Sequence, residues 1–310
     1  MSAIVIIVSC LAIEICQRVH KNALRVKESI DTWHWNEPSV SNGWFQDTSE
    51  LLIVRRFFHS PSTWKTGTFR IAHISDLHVD RHTSDNFLEI VFDALVSLKP
   101  DTVIVTGDFA DEIDELKRLV SLFKNLSPPR GIFGVLGNHD FWINDHAVRK
   151  ILESGGIQFP SFKGLTLDIN RSQKLIFHGI DYPYAKPWLL NNQKLDNTQT
   201  TIALAHTPDV VFKLARAGID MVFSGHLHGG QWRLPLIGSV VSPSIYDRLL
   251  DHGHYKILQT DLFVTSGIGK VWIPKRVNCP AEILVVDLTG SQDPSPSGNR
   301  TSPDFPDRQV

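Results

Sequence analysis

Phe69-Arg70-Ile71-Ala72-His73-Ile74 runs without a break into Ser75-Asp76-Leu77-His78. The arrangement recurs twice: Thr102–Thr106 leads into Gly107-Asp108-Phe109-Ala110-Asp111, and Ile132–Leu136 into Gly137-Asn138-His139-Asp140. Between these blocks Phe87–Leu98 and Ile113–Leu122 carry apolar residues at helical spacing, and SPPRG marks the turn before Ile132. A β-rich run, a polar motif and a helix that repeat about every thirty residues match the length of one βαβ unit. The pattern predicts an α/β fold with substantial parallel pairing. Parallel strands carry ligand sites at their carboxyl edges, so motifs far apart in sequence are expected to meet in space.

Further along, Lys174–Gly179, Thr201–Ala205, Met221–Phe223, Leu262–Thr265 and Glu282–Leu288 are strand candidates. Two of them end in motifs, Ala205-His206-Thr207-Pro208 and Gly225-His226-Leu227-His228-Gly229-Gly230. Asp76/His78 and His226/His228 are i, i+2 pairs, which extended backbone would present to one side. Taken singly these blocks mean little. Asp-x-His is common in surface turns, Gly-Asn is a turn signal, and Asp108 or Asp111 could cap the helix that follows. Five such motifs, all at expected strand ends, supply carboxylate, imidazole and amide groups and no thiolate. The set is what points to chemistry.

In that order the five blocks resemble the calcineurin-like metallophosphoesterases, over roughly residues 70–288. The resemblance implies a four-layer α/β/β/α metallophosphoesterase sandwich and two divalent metal ions, Mn with Fe or Zn as alternatives. It implies that Asp76, His78, Asp108 and His228 hold one ion and that Asp108, Asn138, His206 and His226 hold the other, with Asp108 shared. Oxygen and imidazole ligands suit such metals, and a pair of ions can clamp an in-line displacement at phosphorus. His139 would then meet the leaving-group oxygen as a general acid, with Asp111 orienting its imidazole. Protein Ser/Thr phosphatases of the family usually continue the second motif with Arg-Gly and place Glu after Asn-His; this chain has neither. Gly229-Gly230-Gln231, Ser266-Gly267-Ile268-Gly269, Pro274-Lys275-Arg276 and Cys279-Pro280-Ala281-Glu282 are instead similar to a bacterial branch. That branch contains YaeI- and YkuE-type phosphodiesterases and the chlamydial-type UDP-2,3-diacylglucosamine pyrophosphatase of lipid A synthesis. The implied activity is hydrolysis of a phosphodiester or pyrophosphate bond, with a lipid-linked substrate favoured. A soluble substrate such as a cyclic nucleotide is the alternative, and a metal-free scaffold of the same fold a remote one, because every ligand position keeps a competent residue.

The rest of the chain sets the surroundings. Its 310 residues carry a formal net charge of -2, which gives no basic excess for a nucleic-acid partner. Cys10, Cys16 and Cys279 are scattered and read as neither a disulfide framework nor a zinc knuckle. Residues 1–29 begin with the apolar run SAIVIIVSCLAIEIC (2–16), followed by Arg18, Lys21, Arg25 and Lys27. The run falls short of the roughly 20 apolar residues of a spanning helix. Its basic flank suits a membrane anchor that leaves the catalytic domain facing the cytoplasm, and an amphipathic helix packed on the domain is the other reading. Residues 30–67, with Trp33, Trp35, Trp44 and Trp64, are a linker or an aromatic collar. Residues 68–289 form the catalytic domain, and the Ser/Pro/Gly-rich 290–310 a disordered tail.

Overall fold

The computed structural model describes residues 27–34, 46–49, 51–65, 67–171, 173–182, 195, 198–234 and 238–290. The apolar run 2–16 and all but the first residue of the expected tail lie outside them. In chain order the strands are β1 (Lys27–His34), β2 (Leu51–His59), β3 (Thr68–Ile74), β4 (Thr102–Val105), β5 (Ile132–Gly134), β6 (Ile157–Gln158), β7 (Leu165–Asp168), β8 (Lys174–Ile180), β9 (Thr200–Ala205) and β10 (Met221–Ser224). A short ribbon, β11 (Arg233–Leu234) and β12 (Gly238–Ser239), precedes β13 (Gly253–Ile257), β14 (Thr260–Val264) and β15 (Ala281–Thr289). Two sheets result, ordered β1-β2-β15-β3-β4-β5-β6 and β13-β14-β10-β9-β8-β7. Pairing is parallel through β3, β4, β5 and β6 in the first and through β8, β9, β10 and β14 in the second.

Alternation along each strand makes the layers. Ile71, Ile104, Phe133, Leu284 and Val286 face Phe177, Ile202, Leu204, Phe223 and Phe263 in a core between the sheets. The Phe133 and Phe177 rings stack across it at 4.6 Å. The neighbouring residues Ala72, Ile74, Val103, Val105, Ile283 and Val285 face outward onto helices. Those helices are α1 (Asp85–Ser97), α2 (Leu116–Leu126) and α4 (Asp145–Ser154), with the short α3 (Asn138–Ile143) before the last. On the far side Ala203, Val222, Leu262 and Val264 pack under α5 (Val211–Ala217). The chain is thus an α/β/β/α sandwich. Both faces of each sheet are covered, which is why the strands read as nearly unbroken apolar runs.

Local chemistry agrees with these elements. Helix α1 buries Leu88, Val91, Phe92 and Leu95 at helical spacing, and the Ser84 hydroxyl accepts the Phe87 N–H as its cap. Such a cap contributes about 1 kcal/mol. Helix α5 stops at Gly218, whose φ of +89 a side chain would resist.

The sheet extends upstream of residue 68. Strand β2 pairs in parallel with β15 inside the stretch expected to be linker or collar, and β1, which pairs with β2, crosses from the expected N-terminal segment into it. The pair Arg55-Arg56 interrupts the apolar pattern of β2 and hides it. Arg55 is satisfied there by buried Glu282 at 2.5 Å. Trp64 is core as well: it packs on Phe69 and donates its indole N–H to the Gly67 carbonyl at 2.9 Å. Side chains of Trp33, Trp35 and Trp44 lie outside the described residues.

Candidate metal centre

All five motifs meet in one cluster. Asp76 and His78 follow β3, Asp108 follows β4, Asn138 opens α3 beyond β5, His206 follows β9, and His226 and His228 follow β10. The first three motifs come from one sheet and the last two from the other, so the seam between the sheets is what joins them. His78 Nε2 and His206 Nε2 each lie 3.4 Å from Asp108 Oδ2. His228 Nε2 lies 3.7 Å from Asp76 Oδ1 and 3.2 Å from His78 Nε2. His206 Nε2 also meets Asn138 Oδ1 at 2.9 Å and His226 Nδ1 at 3.0 Å. Three overlapping groups could each hold a metal ion: Asp76/His78/His228, His78/Asp108/His139 and Asp108/His206/His226.

The i, i+2 pairs do not use extended backbone, as the sequence suggested. Asp76, His78, Asp108, His226 and His228 have φ of 53, 44, 53, 70 and 49°, the left-handed region that side chains rarely adopt. Tight turns at the strand ends aim the side chains inward, and strain of this kind persists only where surrounding structure enforces it. Two glycines permit the crowding. A Cβ on Gly137 would lie 2.1 Å from Asp108 Oδ1, and one on Gly225 would lie 2.1 Å from Ser75 Oγ and 2.2 Å from Asp76 Oδ2.

The donor set suits cations. A carbonyl only accepts, so the Thr106 oxygen 2.7 Å from His206 Nδ1 takes the proton of that nitrogen and turns Nε2 toward Asp108 and Asn138. Burial opposes a charge on His206, yet the Asp108 and Asp76 carboxylates push it up to about 9. Burial likewise opposes ionised Asp108, and the positive charge of His206 followed by that of His78 holds it well below the usual range. The pocket therefore stabilises positive charge at its centre, where opposed lone pairs converge. Burial, then His206, pushes His226 down to about 3 and keeps its imidazole neutral, the form that ligates metal.

Asp111 is no helix cap. The 3₁₀ turn that precedes α2 has Glu112 at its cap position, without a side-chain bond. The Asp111 carboxylate instead lies 2.8 Å from both His78 Nδ1 and His139 Nδ1. One carboxylate thus fixes the ring of an expected ligand and the ring of the expected acid, a double role that the motif alone does not disclose.

Other supporting residues escaped the sequence reading. Asp140, fully buried, accepts N–H groups from Asp108, Phe109 and Gly137 and so joins two motif loops. Burial, then the Asp108 charge, pushes it up to about 7. Arg276 is buried with its guanidinium against the carbonyls of Gly269, Ser266, Cys279 and Pro280. The loop it grips meets the first ligand turn, where Ile268 and Gly269 N–H bond the carbonyls of Ser75 and Asp76. Cys279 Sγ contacts the His228 carbonyl at 3.2 Å. Tyr182 stacks on His226. Asp140 had a signal, since it completes Gly137-Asn138-His139-Asp140; Arg276 lay in a branch-like block that assigned it no role, and Tyr182 had no signal.

Residues 69–230, containing every one of these motifs, match the family model for calcineurin-like phosphoesterases. The chain belongs to that family. It is a metallophosphoesterase, and its relatives fall in the bacterial branch that the motifs suggested. It is 28% identical to the metallophosphoesterase YkuE of Bacillus subtilis, over 71% of this chain and 79% of that protein. It is 27% identical to phosphodiesterase YaeI of Escherichia coli, over 82% and 91%. It is 26% identical to UDP-2,3-diacylglucosamine pyrophosphatase LpxG of Chlamydia muridarum, over 82% and 92%.

Above these candidate metal ligands this phosphoesterase has a cavity of about 440 Å³ that opens to solvent. Its floor is His78, Asp108, Asn138, His226 and His228, and its walls include Tyr182, Leu227, Trp232, Val240 and Val241. The walls are chiefly apolar beside a floor of imidazole, carboxylate and amide groups.

Proposed function

We propose that this metallophosphoesterase hydrolyses a phosphodiester or pyrophosphate bond in a lipid-linked molecule, with UDP-2,3-diacylglucosamine as the best candidate. The observation that carries the reading is the apolar wall directly above the metal-binding floor. A free nucleotide or small phosphodiester has little apolar surface to place there, whereas an acyl chain would gain about 25 cal/mol for each Å² removed from water. The similarity to LpxG supports the same substrate class.

In this reading Asp76, His78, Asp108 and His228 hold one divalent ion, and Asp108, Asn138, His206 and His226 the other, manganese being favoured. When bound, the ions supply Lewis acidity to the phosphoryl oxygens. His139 lies on the cavity wall with Nδ1 committed to Asp111, so its Nε2 remains to deliver a proton to the leaving oxygen. Asp111 keeps that ring in one tautomer. The apolar run 2–16 and its basic flank attach the chain to a membrane, with the catalytic domain on the cytoplasmic side.

A panel on manganese-reconstituted protein tests this: UDP-2,3-diacylglucosamine in detergent, bis-p-nitrophenyl phosphate and cyclic nucleotides. The highest kcat/KM is expected on the lipid-linked pyrophosphate. A higher value on a soluble ester, with the lipid untouched, overturns the substrate class and leaves the metal chemistry standing.

A further inference from the structure

Lys270-Val271-Trp272-Ile273-Pro274-Lys275 forms a loop at the cavity mouth. Its tip is open to water: Trp272 is 87% exposed and Ile273 50%. Trp272 has φ of +59, a conformation that bulky aromatic residues avoid. One side chain enforces it. The buried Gln231 amide donates to the carbonyls of Ile273 at 2.7 Å, Val271 at 3.1 Å and Lys275 at 3.2 Å, and its oxygen accepts the Val271 N–H at 2.8 Å. The backbone is held fast while the two largest side chains of the tip stay unburied. A strained conformation imposed on an exposed indole points to a use for that indole.

The apolar surface continues around the opening, through Trp142 (68% exposed), Val240 and Val241 (58%). Exposed apolar surface gathered in one place marks an interaction site. Its position selects the partner. The patch rings the entrance to the metal-binding floor, so a protein seated on it would cover the entrance. A lipid surface would cover the same patch and also present the substrate. Indoles suit the boundary between headgroups and acyl chains. Lys270 and Lys275 flank the tip, and the Lys275 side chain, 63% exposed, makes an open surface pair with Asp47 at 3.6 Å. Cations on both sides of an apolar tip complement anionic headgroups.

We propose that loop 270–275, together with Trp142, Val240 and Val241, docks on an anionic lipid bilayer and holds the cavity mouth against the headgroups, a surface that rests on the lipid-linked reading of the substrate and is separate from the N-terminal segment. The test uses the full-length chain with vesicles of brominated phosphatidylcholine and phosphatidylglycerol. Bromine quenches only indoles that enter the acyl region, so the difference between wild type and Trp272→Phe isolates Trp272 from the upstream tryptophans. Quenching of the Trp272 component is expected, and Trp272→Ser/Ile273→Ser should weaken vesicle binding about tenfold with metal content unchanged. Lys275→Gln should weaken it about fivefold at low salt, and less as salt rises. An unquenched Trp272, in a protein that still hydrolyses the lipid-linked ester in detergent, overturns the docking surface and spares the substrate reading. A quenched Trp272 without turnover of any lipid-linked ester retains the surface and overturns the substrate reading.

Discussion

Asp76, Asp108, His206 and His228 are buried at or beneath the cavity floor, at the ends of strands that themselves have both faces covered, and all but His206 have the left-handed φ of strained turns. Around the same cavity Trp142, Val240, Val241, Trp272 and Ile273 stand exposed at the mouth. The floor gathers charge into a low-dielectric pocket, where it is stabilised only by opposite charge or by an ion. The mouth leaves apolar surface in water, where it is stabilised only by a ligand or a partner. Each region is incomplete in a different way, and the proposed function completes each with a different participant: metal below, apolar substrate above. Substitutions on the floor should damage every reaction the protein performs, while substitutions at the mouth should discriminate among substrates.

The largest effect is expected from Asp108→Ala, which removes, among the described residues, the one carboxylate within 3.4 Å of both His78 and His206. Hydrolysis of lipid-linked and soluble esters should fall together to background, with metal content lost, as read by elemental analysis and steady-state assay. Asn138→Ala should cost less. A variant with both ions and near-normal rates would break the division between floor and mouth.

Next comes His139→Ala. Turnover should drop by about 10²–10⁴-fold with metal content largely kept. The loss should shrink for p-nitrophenyl esters, whose leaving group needs no proton. Equal losses across leaving groups would make His139 a substrate-positioning residue. Because His139 also falls within a group able to hold metal, a variant that loses an ion would move it into the ligand set.

How far each region was legible follows from the same contrast. Metal and acid–base chemistry restrict residue type, so Asp76, His78, Asp108, Asn138, His206, His226 and His228 stood out as motifs once strands were expected beside them. Strands β3, β4, β9 and β15 were legible because burial on both faces makes apolar runs. Strand β2 was not, since Arg55 looks polar in sequence and its buried partner Glu282 lies more than two hundred residues away. The role of Arg276 was illegible for a similar reason: its block resembles the bacterial branch, but nothing local distinguishes a surface arginine from one buried among four carbonyls. The mouth was hardest. Val240, Val241 and Ile273 look like core residues, and only their exposure in the fold gives them another meaning. Left-handed φ at the ligands also could not be read from motif spacing, which fits extended backbone equally well.

Arg276→Met sharpens the contrast from beneath the floor. The guanidinium touches neither substrate nor expected ligands; it holds the loop against the Asp76 turn. Supporting residues of this kind typically alter metal affinity by about 10–100-fold. The loss should fall on the Asp76/His78/His228 pocket and spare Asp108/His206/His226, giving a biphasic metal titration by calorimetry with one weakened phase. Arg276→Lys should recover part of it. Uniform weakening of both phases would mean general destabilisation instead.

The smallest effect belongs to the mouth. Val241→Asp should lower kcat/KM on a long-acyl substrate by about tenfold and leave bis-p-nitrophenyl phosphate within about twofold, because a hydrophobic wall contributes only 1–3 kcal/mol of discrimination. Equal losses on both would show that the wall shapes the floor and does not receive an acyl arm.

Anomalous diffraction from manganese-loaded crystals tests the central claim most directly. Two peaks are expected, one bounded by Asp76, His78, Asp108 and His228 and the other by Asp108, Asn138, His206 and His226, both in contact with the Asp108 carboxylate. A single peak, or two that do not share Asp108, would contradict the account.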